Sequence, residues 1–401
     1  MSALVLSLGV LGLDLWRQPD KPEPAQAVWP VQGATVSPPV DAVWHLHSAG
    51  RIPMPPKTPA AHASSLLVMP PDDPAVLRAF WFAGSRESGP DVQIATAQFE
   101  RATQQWSTPR FVVNRRVAGA QLGYGLRRIG NPVAWRDTLG RTHLFVVATG
   151  LGGWASGRIL HLRQDAADAA FVPLRTLPLS WLWNTSHLVR AMPLPLADGG
   201  MVLPVYFEIG RKYPLVLRFD AQGEFRGLTR VSRQSTALQP TLLARGPADW
   251  LALMRDHGKE RLLRVARTED GGLHWRDAPP PGLPNPDASV AALALTPQTL
   301  LLAYNPGPRR AELRLARSSD GLKWAPLAVL ASGQSTPRRQ DGEPDPGADG
   351  DDEFSYPAMV WAPDASGGGG QGSLWISYTE QRRAIAWQRY VWSAPAAAAR
   401  P

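Results

Sequence analysis

From Val43 to Trp387 the chain is a succession of short runs in which apolar and polar residues alternate, or apolar residues follow one another for several positions. Ala42–His47, Thr142–Thr149 and Trp250–Arg255 are examples, and Gly-, Pro-, Asn- and Asp-rich breaks separate such runs. A period of two, interrupted this often, predicts many strands joined by tight turns. Two stretches repeat one another: Thr268-Glu-Asp270-Gly271-Gly272-Leu-His-Trp275 and Ser318-Ser-Asp320-Gly321-Leu-Lys-Trp324. Each sets a hydroxyl residue, an acid two places on, glycine and tryptophan behind an alternating run. That order predicts a hairpin whose turn is held by its own Asp, with Gly at positive φ and Trp folded beneath. Recurrence after about fifty residues points to small antiparallel sheets repeated radially, an all-β propeller.

Composition agrees. With 401 residues, 44% hydrophobic residues and 16 Trp, one large core is within reach, while 36 Gly and 40 Pro argue against a helical protein. There is no cysteine, so neither a disulfide nor a thiolate metal site can form. His45 and His47 share a strand face without an acidic partner, and no metal is expected there. The formal charge is +8 although seven acidic residues lie between Asp341 and Glu353, so the remaining chain is more basic still. Such a body favours anionic ligands, or simply carries solvated arginines on its loops. No phosphate-binding glycine loop, nucleophilic serine elbow or nucleic-acid module is present, and no cofactor is expected.

The two turns resemble the Asp-box (S/T-x-D-x-G-x-T-W) of the sialidase superfamily. Residues His62 to Val68 and Arg78 to Ile94, with "H-x-S-S-L … W-F-x-G-S-R-E-x-x-P-D-V", are similar to the bacterial BNR-repeat sialidase-like group often described as predicted neuraminidases. The resemblance implies a six-bladed β-propeller of the sialidase type over residues 31–395, with a strand near Ala42–His47 completing the last blade. Residues 1–30, an apolar run (Ala3–Leu13) and a Pro-rich linker, are expected to form a truncated signal or membrane anchor, and residues 335–353 an acidic flexible loop. A cell-envelope location follows as an expectation; a short buried segment is the alternative.

The same resemblance implies a site. Sialidases bind a sugar carboxylate through arginines, attack with a tyrosine and protonate the leaving oxygen with an Asp. Asp91 falls on the acid position, Arg86 before it on a substrate-binding position, and Arg255 and Arg310 on two carboxylate-binding positions. Tyr356 falls on the nucleophile. Asn184, His187, Tyr206 and Glu208 are candidate pocket lining. Two positions depart from the pattern: His62 stands where an Arg is expected, and Gln239 where a Glu would activate the Tyr. A neutral amide takes no proton from a phenol. Three readings stay open: a hydrolase of the exo-α-sialidase type acting on an anionic sugar, a uronate-acting propeller lyase with His62 or Tyr356 as base, and an acidic-glycan-binding propeller without turnover.

Overall fold

The computed structural model describes residues 23–30, 38–39, 41–150, 152–180, 184–333, 352–363 and 372–394. The apolar run Ala3–Leu13, most of the acidic segment, Trp181–Trp183 and Gly367–Gly370 lie outside the described residues. The rest forms six antiparallel sheets arranged as the blades of a propeller.

Blade 1 contains β2 (Ala60–Val68), β3 (Ala75–Gly84), β4 (Gln93–Glu100) and β5 (Arg110–Val113), and a short helix α1 (Arg115–Leu122) leads to the next. Blade 2 contains β6 (Arg128–Arg136), β7 (Thr142–Thr149), β8 (Arg158–Gln164) and β9 (Val172–Thr176). Blade 3 contains β10 (His187–Val189), β11 (Leu194–Pro195), β12 (Met201–Phe207), β13 (Tyr213–Phe219) and β14 (Phe225–Arg230). Blade 4 is built from β15 (Ala237–Ala244), β16 (Trp250–Asp256), β17 (Arg264–Thr268) and β18 (Arg276–Ala278). Blade 5 follows with β19 (Ala291–Thr296), β20 (Thr299–Tyr304), β21 (Glu312–Ser318) and β22 (Ala325–Ser332). Blade 6 joins both ends of the chain: β23 (Phe354–Pro363), β24 (Gly372–Glu380) and β25 (Ala384–Ser393) are completed by β1 (Val43–Arg51), which pairs antiparallel with β25 from Val43↔Ser393 to Arg51↔Ala386. This expected closure leaves no open seam between first and last blade.

The blades hold together through apolar faces packed in series. All of β7 and β20, second in their blades, and all of innermost β15 are buried, because the inner strands of a blade meet a neighbouring blade on each side. Trp375, Phe99 and Trp387 fill the seam between blades 6 and 1, with Phe99 to Trp375 ring centres 4.7 Å apart.

The two repeated turns lie at the β17–β18 and β21–β22 connections and are built as their residue order predicts. The Asp270 carboxylate accepts the backbone N–H groups of Leu273 (3.1 Å) and His274 (2.9 Å), and the Trp275 indole donates to the Gly272 carbonyl at 3.0 Å. Asp320 accepts likewise from Leu322 and Lys323, both at 2.8 Å, and the Trp324 indole donates to Gly321 at 3.1 Å. Gly271, Gly272 and Gly321 have φ of 69°, 92° and 74°, which a side chain would strain. These turns are scaffold.

Candidate functional site at the axial mouth

The innermost strand of every blade begins with the same backbone irregularity. Ala63, Asn131, Ser186, Gln239, Asp287 and Tyr356 all have φ between 47° and 64°. In β2, β6, β15 and β23 this residue sits inside a register shift: His62/Ser65, Gly130/Val133, Leu238/Thr241 and Ser355/Ala358. Non-glycine residues held there cost on the order of 1 kcal/mol or more each. Proline follows three of them, at Pro132, Pro240 and Pro357, and a residue with no N–H donor suits a bulge where the ladder is already broken. Each bulge re-aims its side chain off the sheet face. The strand heads therefore form a polar mouth, whereas the far ends of the same strands line an apolar cavity with Trp135, Met192, Leu242, Met359 and Trp361, beside Trp29.

Tyr356 is the best-gripped side chain at the polar mouth. Its ring centre lies 4.3 Å from that of His62, 5.0 Å from the Arg190 guanidinium carbon and 5.9 Å from that of Arg310. Arg190, just after β10, is only 2% exposed and donates from Nη2 to the Pro357 carbonyl at 2.8 Å; among the described residues it has no carboxylate partner.

A chain of charge-assisted hydrogen bonds runs around this tyrosine. Arg382, in the β24–β25 turn, donates from Nη1 to Glu87 and from Nε to Glu353, both at 2.7 Å. Arg310 donates from Nη1 to the other Glu353 oxygen (3.0 Å) and from Nη2 to the Asp287 carbonyl (2.7 Å). Arg255, in β16, donates from Nε to the Asp287 carboxylate (2.5 Å) and from Nη1 to Gln239 Oε1 (3.3 Å). Gln239 Nε2 then donates to the Tyr206 hydroxyl at 3.2 Å. Five blades contribute, and every guanidinium of the chain is oriented by a carboxylate.

Burial and neighbouring charge set the protonation states. Burial would raise the Glu353 carboxyl, but the hydrogen bond from Arg382 and the charge of Arg310 outweigh it and hold the pKa at about 2. Burial lowers the His62 imidazole to about 3, with Arg382, Arg190 and Arg310 reinforcing the effect against Glu353, so it is neutral at physiological pH. Burial also lowers Arg190 to about 10, still a cation at neutral pH, and pushes the Tyr206 hydroxyl up. Around Arg255 the hydrogen bond to Asp287 overcomes the cost of burial and raises the pKa.

These shifts have a sign. His62 and Glu353 each bind a proton less readily in the folded chain than in the unfolded one. The His62 contribution is complete above about pH 6.5 and is lost as pH falls through that value toward 3; that of Glu353 is complete above about 4.5 and is lost toward 2. The melting temperature is therefore expected to fall from pH 7 to pH 4. His62→Gln should flatten the part of that slope between about pH 6.5 and 4.5, and identical slopes in wild type and mutant would assign the acid sensitivity elsewhere.

Of the residues singled out from the sequence, the structure joins His62, Gln239, Arg255, Arg310 and Tyr356 directly or through Asp287, whose carboxylate accepts from Arg255 and whose backbone carbonyl accepts from Arg310. Asp91 and Arg86 are on the same loop but apart from that chain. Asp91 is exposed and accepts from the Ser85 backbone N–H and hydroxyl, both at 2.8 Å, and the Ser85 hydroxyl bond leads the effects that lower its pKa. Arg86 is exposed, and among the described residues neither has a hydrogen bond or ion pair to the Tyr356 cluster. Asn184 binds the Leu177 carbonyl and the Leu179 N–H, closing its own loop, and His187 is buried against Phe207. Glu353, assigned from the sequence to the end of the acidic loop, is instead a bridging carboxylate of the site. Glu87, Arg190, Asp287 and Arg382 complete the cluster without having stood out as site residues. Asp287 had the best signal, an Asn-Pro-Asp run. No group of three or more His, Asp or Glu among the described residues is arranged to hold a metal ion.

The model of the BNR repeat-like domain family matches residues 75–372, most of the propeller. The chain belongs to this family. No curated protein matches it at the level of sequence. Among solved structures, this BNR repeat-like chain is similar to a Hadza microbial sialidase (16% identity, TM-score 0.63, 82% of this chain and 65% of that one). It is also similar to a protein of unknown function from Dyadobacter fermentans (13% identity, TM-score 0.64, 87% and 99%) and to the intramolecular trans-sialidase of Ruminococcus gnavus (11% identity, TM-score 0.55, 84% and 96%). The chain thus spans just under two thirds of the Hadza sialidase, and at these identities the likeness is one of fold. The fold is the sialidase-type six-bladed propeller.

Proposed function

We propose that this BNR repeat-like protein is a glycoside hydrolase of the sialidase type, binding an anionic sugar by its carboxylate at the polar mouth. The observation that supports the reading is Tyr356, set in a left-handed bulge and enclosed by His62, Arg190 and Arg310, with Arg255 linked to Arg310 through the carboxylate and backbone carbonyl of Asp287. In this reading the Tyr356 oxygen attacks the anomeric carbon, the glycosidic C–O bond breaks, and a loop carboxylic acid, assigned to Asp91, protonates the departing oxygen. Water then releases the sugar. For Asp91 to act as an acid, ligand binding must both displace the Ser85 hydroxyl, which lowers its pKa, and bury the carboxyl enough to raise that pKa.

The step least provided for is removal of the phenolic proton. Gln239 uses both ends of its amide on Arg255 and Tyr206, and an amide is no base. Gln239→Glu is therefore expected to raise kcat on a fluorogenic sialoside at least about tenfold, since a positioned general base contributes roughly a hundredfold or more. Unchanged turnover would exclude this position as the missing base. The same Gln239 geometry favours a second reading, an acidic-glycan-binding propeller without turnover; saturable binding of the acid with no hydrolysis by wild type or Gln239→Glu would establish it. A uronate lyase using His62 as base is the weakest reading, because an imidazole whose pKa is held near 3 has little affinity for a proton.

A further inference from the structure

The β24–β25 hairpin turns through Gln381, Arg382 and Arg383, the first two with φ of 54° and 55°. Such turns are normally made by Asn, Asp or Gly; two longer side chains in succession are strained, and persist where surrounding contacts over-determine them. The contacts are present. Gln381 accepts at Oε1 from the Glu353 N–H (3.3 Å), the Arg382 carbonyl accepts from the Ala61 N–H of blade 1 (3.0 Å), and Arg383 N–H closes the turn on Glu380 (2.9 Å). Together they set the Arg382 guanidinium over the polar mouth, half exposed, between Glu353 and Glu87.

Its two carboxylates are not equivalent. The Glu353 side chain is 19% exposed and is also fixed by Arg310 and by the Ser355 hydroxyl (2.9 Å). The Glu87 side chain is 33% exposed, stands on the loop between β3 and β4, and beyond Arg382 meets, among the described residues, only the His62 ring nitrogen, at 3.8 Å. Glu353 thus holds Arg382 in place, whereas Glu87 is the more exposed and less tied of its two partners.

We propose that Arg382 is a carboxylate-binding residue of this site and that Glu87 is an internal stand-in for the ligand: on binding, the carboxylate of an acidic sugar takes the place of Glu87 on Arg382. This inference rests on the proposed acidic-sugar reading of the site and adds the residue that reads the anion and the group it must displace. One planar guanidinium exchanges one carboxylate for another of the same geometry, so the Arg382–Glu353 pair remains intact and no charge is left buried alone.

The two partners are then expected to change affinity in opposite directions. Binding of N-acetylneuraminic acid and of glucuronic acid to the full chain, followed by titration calorimetry, supplies the test. Arg382→Met should weaken the acid that binds by about tenfold or more, as loss of a charge-assisted pair does. Glu87→Gln, which removes the competitor and keeps the side-chain shape, should tighten it severalfold, and the methyl ester of the same acid should show neither effect. Weaker binding in Glu87→Gln, or unchanged binding in Arg382→Met, would overturn the exchange while leaving the acidic-sugar reading in place. Failure of both acids to bind wild type, with Arg382→Met and Glu87→Gln equally silent, would overturn that reading and the exchange together.

Discussion

Tyr356→Phe is expected to lower kcat/KM for a sialoside by about a thousandfold or more, while moving the melting temperature by less than about 2 °C. The asymmetry comes from how the side chain is held. Its ring is gripped by His62, Arg190 and Arg310, contacts that a phenylalanine ring reproduces. Its hydroxyl has no hydrogen-bond partner among the described residues, so the fold loses nothing when the oxygen is removed. If the oxygen is the nucleophile, the reaction loses the atom that forms the new bond. Steady-state kinetics beside a thermal melt read both quantities on one preparation. A mutant retaining more than about a tenth of wild-type kcat/KM would remove Tyr356 as nucleophile, and one that is inactive and unstable would report a folding defect.

Trp375→Ala is expected to destabilise the protein by about 3–5 kcal/mol, measured as a shift of the urea midpoint at constant slope. Trp375 is 1% exposed, donates its indole N–H to Ser373 at 3.1 Å, and packs on Phe99 and Trp387 with Arg389 over its face. It belongs to the seam between the blade that carries Tyr356 and the blade that carries His62. Truncation leaves a cavity where those two blades meet, and the 4.3 Å tilted contact of His62 with Tyr356 depends on their separation. A cost below about 1 kcal/mol would show that the seam relaxes around the loss.

The fold was legible in the sequence because its rules are local. Alternation marks strands, Thr268–Trp275 and Ser318–Trp324 mark turns, and an unpaired strand at Val43 anticipates ring closure. The site was legible only where one residue type carries one chemistry. Tyr356, Arg255 and Arg310 could be placed by resemblance, as could the exchange of Glu for Gln239. What escaped notice depends on distances between blades. Glu87 and Arg382 are 295 positions apart in the chain yet share a hydrogen bond, and no local pattern announces such a pair. Arg190 reads as an ordinary strand-end arginine until its burial under Tyr356 is seen. The left-handed strand heads were present as Asn131-Pro132, Gln239-Pro240, Asp287 and Tyr356-Pro357, but unequal blade lengths conceal that they are one repeated feature. Asp91 shows the converse: position in a motif does not say whether a carboxylate turns toward its own loop or toward the axis.

The pairing of β1 with β25 also fixes when the site can exist. Of the described strands β1 is made first, and its partner β25 is complete only when Ser393 has left the ribosome. Until then blades 1 to 5 form an open arc with β2 unpacked at one end, and such long-range closure is slow to reach. Blade 6 brings Tyr356, Glu353 and Arg382 in that last step and seats them against His62 and Glu87 from the first blade. A chain ended before β25 is therefore expected to fold most of its blades and still lack the mouth, so that the polar site is the last part of the propeller to be assembled.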